Sequence, residues 1–215
     1  MGRSIAAFDF DGTLTQNDTV LPFLVRVCGP AKVARVMARV APSAGRARFS
    51  AATGALHHRD ATKMAVLREL FRGGDPAHLA EQGVAYAQTL SRRLRPAMVR
   101  QLDWHRESGH ELVIVSASLM AYLVPFAADQ GLHHVIGVEL EIGPDGRLTG
   151  ALVGPNVRGP EKATRLRAWL GDDEPDDMWA YGNSSGDREL LAMATHPVWV
   201  ASSRSGRNSG RSPAT

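Results

Sequence analysis

The stretch Ile5-Ala6-Ala7-Phe8-Asp9-Phe10-Asp11-Gly12-Thr13-Leu14-Thr15 constrains the fold more than any other. It begins as an uninterrupted apolar run, the pattern of a buried strand. It ends in carboxylates at i and i+2, which a strand places on one face. Asp9 and Asp11 can therefore reach one ligand, and Gly12 supplies the backbone freedom to turn away. Open α/β sheets bind ligands at the carboxyl ends of their strands. Taken alone, the pair is equally an ordinary turn after a strand, because Asp and Gly are common turn residues.

The rest of the chain narrows the choice. Asp18 or Thr19 can cap a helix with Pro22 in its first turn. Gly29-Pro30 ends it and opens a second helix, with Val33, Val36, Met37 and Val40 on one face. Asp60 is expected to cap a third helix, carrying Met64, Leu67 and Phe71 and stopped by Gly73-Gly74. Asp75-Pro76 opens a fourth, with Leu79, Tyr86, Leu90 and Leu94 as its stripe. No strand pattern interrupts residues 19 to 93, which predicts a helical insert. Beyond it, Pro96 starts a helix and Leu112 to Val115 is a wholly apolar strand. Leu119 to Gln130 reads as a helix broken or kinked at Pro125. Val138 to Ile142 and Leu148 to Val153 flank Gly143-Pro144-Asp145-Gly146 and predict a hairpin. A helix from Lys162 to Leu170, a strand at Met178 to Tyr181, a helix near Asp187 to Ala194 and a strand at Val198 to Val200 complete an alternating pattern. That alternation predicts a three-layer, doubly wound parallel sheet, an α/β fold.

Composition bounds the function classes. The 215 residues include 44% hydrophobic residues, ordinary for a globular chain. No apolar run approaches the ~20 residues of a membrane span, so no transmembrane segment is expected. Met1 to Ser4 lead straight into the first strand, which leaves no room for a signal peptide. Cys28 is the only cysteine, so an internal disulfide is impossible and a cytoplasmic setting is expected. A net charge of +3 suits phosphate-bearing ligands. The scattered aromatic residues give no pattern of a single-strand binder, so no specific nucleic acid binding is expected. From Thr19 to Arg59 there is no acidic residue, while Arg26, Lys32, Arg35, Arg39, Arg46, Arg48 and Arg59 are basic. That face is solvated, draws in anionic substrates, or meets an anionic surface. His57 and His58 are read as a surface pair, and Ser202 onward as a disordered basic tail.

Four segments together resemble the haloacid dehalogenase (HAD) superfamily. Asp9 to Thr15 is similar to its nucleophile motif. Val113-Ile114-Val115-Ser116-Ala117-Ser118, Gly159-Pro160-Glu161-Lys162 and Tyr181-Gly182-Asn183-Ser184-Ser185-Gly186-Asp187 are similar to its remaining motifs, in the same order. The long insert resembles the phosphoserine-phosphatase-like branch, subfamily IB. The resemblance implies a HAD-like core of residues 1–17 and 94–201, with a helical cap of residues 18–93. It implies Asp9 as nucleophile and Asp11 as acid and base. Gly12, Thr13, Ser116, Ala117 and Lys162 would bind phosphate. Mg2+ would be held by Asp9, Asp11, Asn183 and Asp187. The implied activity is hydrolysis of a small phosphorylated metabolite through an aspartyl-phosphate. A phosphotransferase and a non-catalytic phosphate-binding module are the alternatives. The chain departs from the branch at Asn183, where most relatives carry Asp, and at Ser116-Ala117-Ser118, where Ser-Gly-Gly is usual. It also has Asp18 where a Glu stands early in the cap, so Asp18 is expected to take part in substrate selection.

Overall fold

The computed structural model describes residues 2–46 and 54–201, without the side chains of residues 41–60. The chain opens with β1 (Ser4–Phe8) and a tight turn over residues 10–14, then four helices: α1 (Val20–Cys28), α2 (Pro30–Arg46), α3 (Gly54–Phe71) and α4 (Pro76–Ala87). There follow α5 (Pro96–Glu107), β2 (Glu111–Leu119), α6 (Met120–Asp129) and β3 (His134–Val138). The hairpin β4 (Leu140–Ile142) and β5 (Leu148–Leu152) comes next, then α7 (Pro160–Leu170), β6 (Asp177–Gly182), α8 (Arg188–Met193) and β7 (His196–Trp199).

Five strands form one parallel sheet in the order β3-β2-β1-β6-β7. β1 lies at its centre, and Ile5, Ala6, Ala7 and Phe8 are fully buried there. The chain winds outward from β1 to β2 and β3, then crosses to β6 and β7 on the other side. Parallel strands connected in this order take right-handed crossovers, which place helices on both faces of the sheet, a doubly wound three-layer arrangement. The reversal beside β1 creates the crevice in which such sheets bind ligands.

The helical insert leaves and rejoins the sheet at one place. Thr15 bridges Leu94, Gln16 N–H donates to the Arg93 carbonyl at 2.9 Å, and Arg95 N–H donates to the Leu14 carbonyl at 2.8 Å. Above this bridge an aromatic chain joins insert and core. Phe10 packs on Tyr122 and Phe126, Phe23 on Tyr86 and Tyr122, with centroids 4.9–6.4 Å apart. α4 lies against α6 so closely that a Cβ at Gly83 would stand 1.9 Å from the Ala121 carbonyl oxygen.

Several elements differ from expectation. Val138 ends β3 in the main sheet, and only Leu140–Ile142 pairs with β5 as a hairpin. Local periodicity cannot show that a chain changes partners at Glu139. α3 is already helical at Gly54, so Asp60 lies inside it rather than capping it. α4 stops at Ala87, while Leu90 and Leu94 remain buried beyond it. α6 runs through Pro125 without a break in the helix. Met37 and Met64 are exposed despite their helical spacing with buried neighbours. The expected tail from Ser202, the side chains of His57, His58, Arg46 and Arg59, and all of Arg48 lie outside the described residues. Among the described residues no helix is long and apolar enough to cross a membrane.

Two stability predictions follow from this packing. Ala exceeds Gly in a helix by about 1 kcal/mol, but overpacking costs roughly 1–3 kcal/mol. The close approach to Ala121 makes the second effect the larger, so Gly83→Ala should lower the melting temperature. A rise would refute the α4–α6 spacing. The second concerns His105, which is fully buried and bonded to the Tyr181 hydroxyl at 2.9 Å and to His110 Nδ1 at 2.7 Å. Burial, helped by His110, pushes it down to about 4 from an ordinary 6.5. The folded state keeps it neutral while the unfolded state takes up a proton below pH 6.5. Its contribution is therefore complete above pH 6.5 and is lost as pH falls toward 4. Chemical denaturation at pH 7 and pH 5 should show wild type losing roughly 1–2 kcal/mol more than His105→Gln over that interval. Equal losses would refute the assignment.

Candidate active site

The turn after β1 aims two carboxylates in different directions. Asp9 N–H continues the sheet by donating to the Tyr181 carbonyl at 2.9 Å. Gly12 then takes φ 77°, a left-handed conformation that glycine adopts without strain. A Cβ there would also lie 2.2 Å from Asn183 Nδ2, so glycine lets the Asn183 amide approach the turn. That amide donates to the Asp11 carbonyl at 3.4 Å.

A buried triad of charges anchors the site. Lys162 Nζ, in the first turn of α7, donates to Asp9 Oδ1 and to Asp187 Oδ1, both at 2.6 Å. All three side chains are buried. Thr13 Oγ holds the other Asp9 oxygen at 2.8 Å. Asp187 Oδ2 accepts from Asn183 N–H at 3.1 Å, Ser184 N–H at 2.9 Å and Ser184 Oγ at 2.8 Å. Burial would lower Lys162, but the charges of Asp9 and Asp187 outweigh it and raise the ammonium further. Burial works against ionisation of Asp187 too, yet the Lys162 charge and the bonds from Lys162 and Ser184 hold it below the usual carboxylate range. For Asp9, burial prevails over Lys162 and pushes the carboxyl up. One ammonium serves two carboxylates, and Asp187 has the richer set of donors.

Asp11 points elsewhere. Its Oδ1 accepts from Thr19 N–H at 2.7 Å and Thr19 Oγ at 2.6 Å, and its Oδ2 accepts from Ser118 Oγ. Burial pushes this carboxyl up to about 6, against the opposing pull of the Ser118 and Thr19 bonds. A group near neutrality can both give and take a proton. Thr19 is itself held, its carbonyl by the Tyr86 hydroxyl at 2.9 Å and its Oγ beside the Tyr122 hydroxyl at 3.0 Å.

Ser116 lies where β2 loosens. Regular pairing with β3 stops at Val115 and resumes at Leu119, so Ser116 to Ser118 are freed from the ladder. Ser116 Oγ accepts from Ser118 N–H at 3.2 Å.

A cavity of about 460 Å³ at the strand ends is lined by Asp9, Asp11, Asp18, Ser116, Ala117, Lys162, Asn183 and Asp187. Gly12 and Thr13 do not line it; Thr13 is buried behind Asp9 as its support. Asp18 caps α1 by accepting from Leu21 N–H at 3.0 Å. Lys63 and Arg158 also line the cavity and carried no sequence signal. Lys63 reaches across from α3 to the Ala117 carbonyl and to Asn156 Oδ1, the latter at 2.9 Å. Ser118 was legible as the residue two after Ser116 on a strand. Thr19 was not, because only the fold returns it to Asp11.

No group of three or more His, Cys, Asp or Glu side chains among the described residues is arranged to hold a metal. The oxygen donors at hand are the Asp9 carboxylate, the Asp11 main-chain carbonyl and the Asn183 side-chain carbonyl. They are hard and suit Mg2+, which takes few protein ligands and keeps several waters. Asp187, also expected at the metal, has both oxygens engaged by Lys162, Asn183 and Ser184 in this structure.

Comparisons with known proteins give the family. Residues 6–192 match the family model described as haloacid dehalogenase-like hydrolase. Protein CicA of Caulobacter vibrioides is 37% identical over 191 residues, covering 88% of this chain and 82% of that protein. A histidinol-phosphatase of Neisseria meningitidis is 28% identical over 53% of this chain and 54% of its own length. In structure, a phosphoserine phosphohydrolase-like protein from Francisella tularensis superposes with a TM-score of 0.59 at 19% identity, over 92% of this chain and 86% of that one. The chain belongs to the haloacid dehalogenase-like hydrolases.

Proposed function

We propose that the chain is a magnesium-dependent phosphomonoesterase that works through an aspartyl-phosphate on Asp9. The observation that carries this reading is the buried Lys162 bridging Asp9 and Asp187 at the floor of an open cavity. A carboxylate fixed in that way, with a second acid two residues on, is a nucleophile with a proton carrier beside it. The family and the phosphatase names among its relatives support a phosphate ester as substrate class. The size of the cavity supports a small phosphorylated metabolite. We divide the chain into a core of residues 1–17 and 94–201 and a cap of residues 18–93. The single bridge between Thr15 and Leu94 supports that division.

The steps balance as follows. An Asp9 oxygen forms a bond to phosphorus while the bond from phosphorus to the ester oxygen breaks. Asp11 gives its proton to the departing alkoxide, which leaves as the alcohol. Asp11 then takes a proton from water, whose oxygen bonds to phosphorus as the acyl-phosphate bond breaks. Inorganic phosphate leaves and Asp9 returns as carboxylate. Ser116 and the backbone N–H groups after it hold phosphate oxygens, and Lys162 supplies fixed positive charge. Asp9, the Asp11 carbonyl and Asn183 would hold Mg2+, which when bound would offset the repulsion between carboxylates and phosphate.

An aryl phosphate with Mg2+ tests this directly. Wild type should turn it over, chelation should stop turnover, and added Mg2+ should restore it. Asp9→Asn should lose at least about a thousandfold in kcat with an unchanged circular dichroism spectrum. Full activity in that variant would remove Asp9 as nucleophile. For Asp11→Asn the loss in kcat/KM, which reads the steps up to release of the alcohol and not the later hydrolysis that Asp11 also serves, should be about 10²–10⁴-fold on an alkyl phosphate. It should be much smaller on p-nitrophenyl phosphate, whose leaving group needs no proton. Equal losses on both would deny Asp11 the acid role.

A further inference from the structure

The two walls of the cavity differ in kind. The core wall presents Asp9, Asp11, Ser116 and Lys162. The cap wall presents Val20, Leu21 and Leu24 from α1, Met37 from α2, and Val66 and Leu67 from α3. Leu21 and Met37 keep 46% and 44% of their surface exposed while lining this same cavity. Scattered exposed apolar residues need no explanation, but a contiguous apolar wall opening onto a reactive floor marks a binding surface. Phosphate and metal ion make no use of it.

The charged groups on the cap wall make contacts within the protein, although Asp18 stays exposed. Asp18 accepts from Leu21 N–H, and Lys63 donates to the Ala117 carbonyl and Asn156 Oδ1. The Asp18 charge also repels any second anionic group that approaches this wall. From the juxtaposition of these two walls we infer that the leaving group is apolar: the substrates are phosphomonoesters of alcohols that carry an alkyl or aromatic body, rather than phosphorylated amino acids. This rests on the phosphomonoesterase reading and specifies the half of the substrate which that reading leaves open. The rival is Arg158, on the core wall beside Gly186, with its Nε buried and without a hydrogen-bond partner among the described residues. If Arg158 governs selection, a substrate with a second anionic group is preferred.

The test is kcat/KM for ethyl, n-butyl and n-hexyl phosphate with Mg2+, with phosphoserine and p-nitrophenyl phosphate alongside. The three alcohols have nearly equal leaving-group basicity, so the series reads contact with the wall rather than chemistry. Each buried methylene should raise kcat/KM about fourfold, equivalent to ~0.8 kcal/mol. Hexyl phosphate should exceed phosphoserine. Leu21→Asn and Met37→Gln should each reduce the hexyl-to-ethyl ratio about tenfold, a ratio that does not depend on the fraction of folded protein. A flat or falling series, or phosphoserine ahead of hexyl phosphate, would overturn the inference while leaving the phosphomonoesterase reading intact. No turnover of any ester, p-nitrophenyl phosphate included, would overturn that reading and this inference with it.

Discussion

A buried ammonium between two buried carboxylates is the constraint on which the site depends. Lys162 is 2.6 Å from both Asp9 and Asp187. Removing one partner from such a pair leaves an uncompensated charge in a low dielectric, which costs several kcal/mol. The elements that carry these residues, the end of β1, the start of α7 and the turn after β6, are therefore tied together by charge as well as by the sheet. Gly182 belongs to the same arrangement. A Cβ there would stand 2.4 Å from that of Asp187, so only glycine lets the turn bring Asp187 back onto Lys162.

The triad also explains why the site faces the cap. With Asp9 and Asp187 held by Lys162, Asp11 is left to partners from outside the triad, and it finds them in Thr19 and Ser118. Thr19 is the residue before α1, so the Asp11 carboxyl is gripped at the point where the insert's helices begin. Tyr86 and Tyr122 hold Thr19 from α4 and α6. Chemistry and cap are thus joined by four side chains, not by general proximity.

Much of this was legible in the sequence, for definite reasons. β1, β2 and β6 announce themselves because strands buried on both faces are apolar runs without alternation. Asp9 and Asp11 stand out because they follow an apolar run at a two-residue spacing, although the strand ends at Phe8 and the turn sends the two carboxylates to different partners. The placement of Lys162 in a first helical turn, where the dipole disfavours a cation, is itself a signal. What was hidden depends on long-range contact. Thr13 reads as a phosphate ligand until the fold buries it behind Asp9. Lys63 and Arg158 look like surface cations until α3 and the segment before α7 meet over the strand ends. The start of α3 and the split between β3 and the hairpin were missed because neither is set by local pattern.

The bridge at Thr15 and Leu94 has a consequence for how the chain reaches this state. Ile5 pairs with Glu111, more than a hundred residues away, so closing the sheet first would mean closing one very long loop. If the helices between them fold early and bring Thr15 to Leu94, the loop that remains is roughly fourfold shorter. Loop entropy grows slowly with length, about 0.6 kcal/mol per doubling, so the saving is about 1 kcal/mol. The insert then acts as a splint during folding, assembling from contacts near in sequence and presenting β1 and β2 to each other as near neighbours.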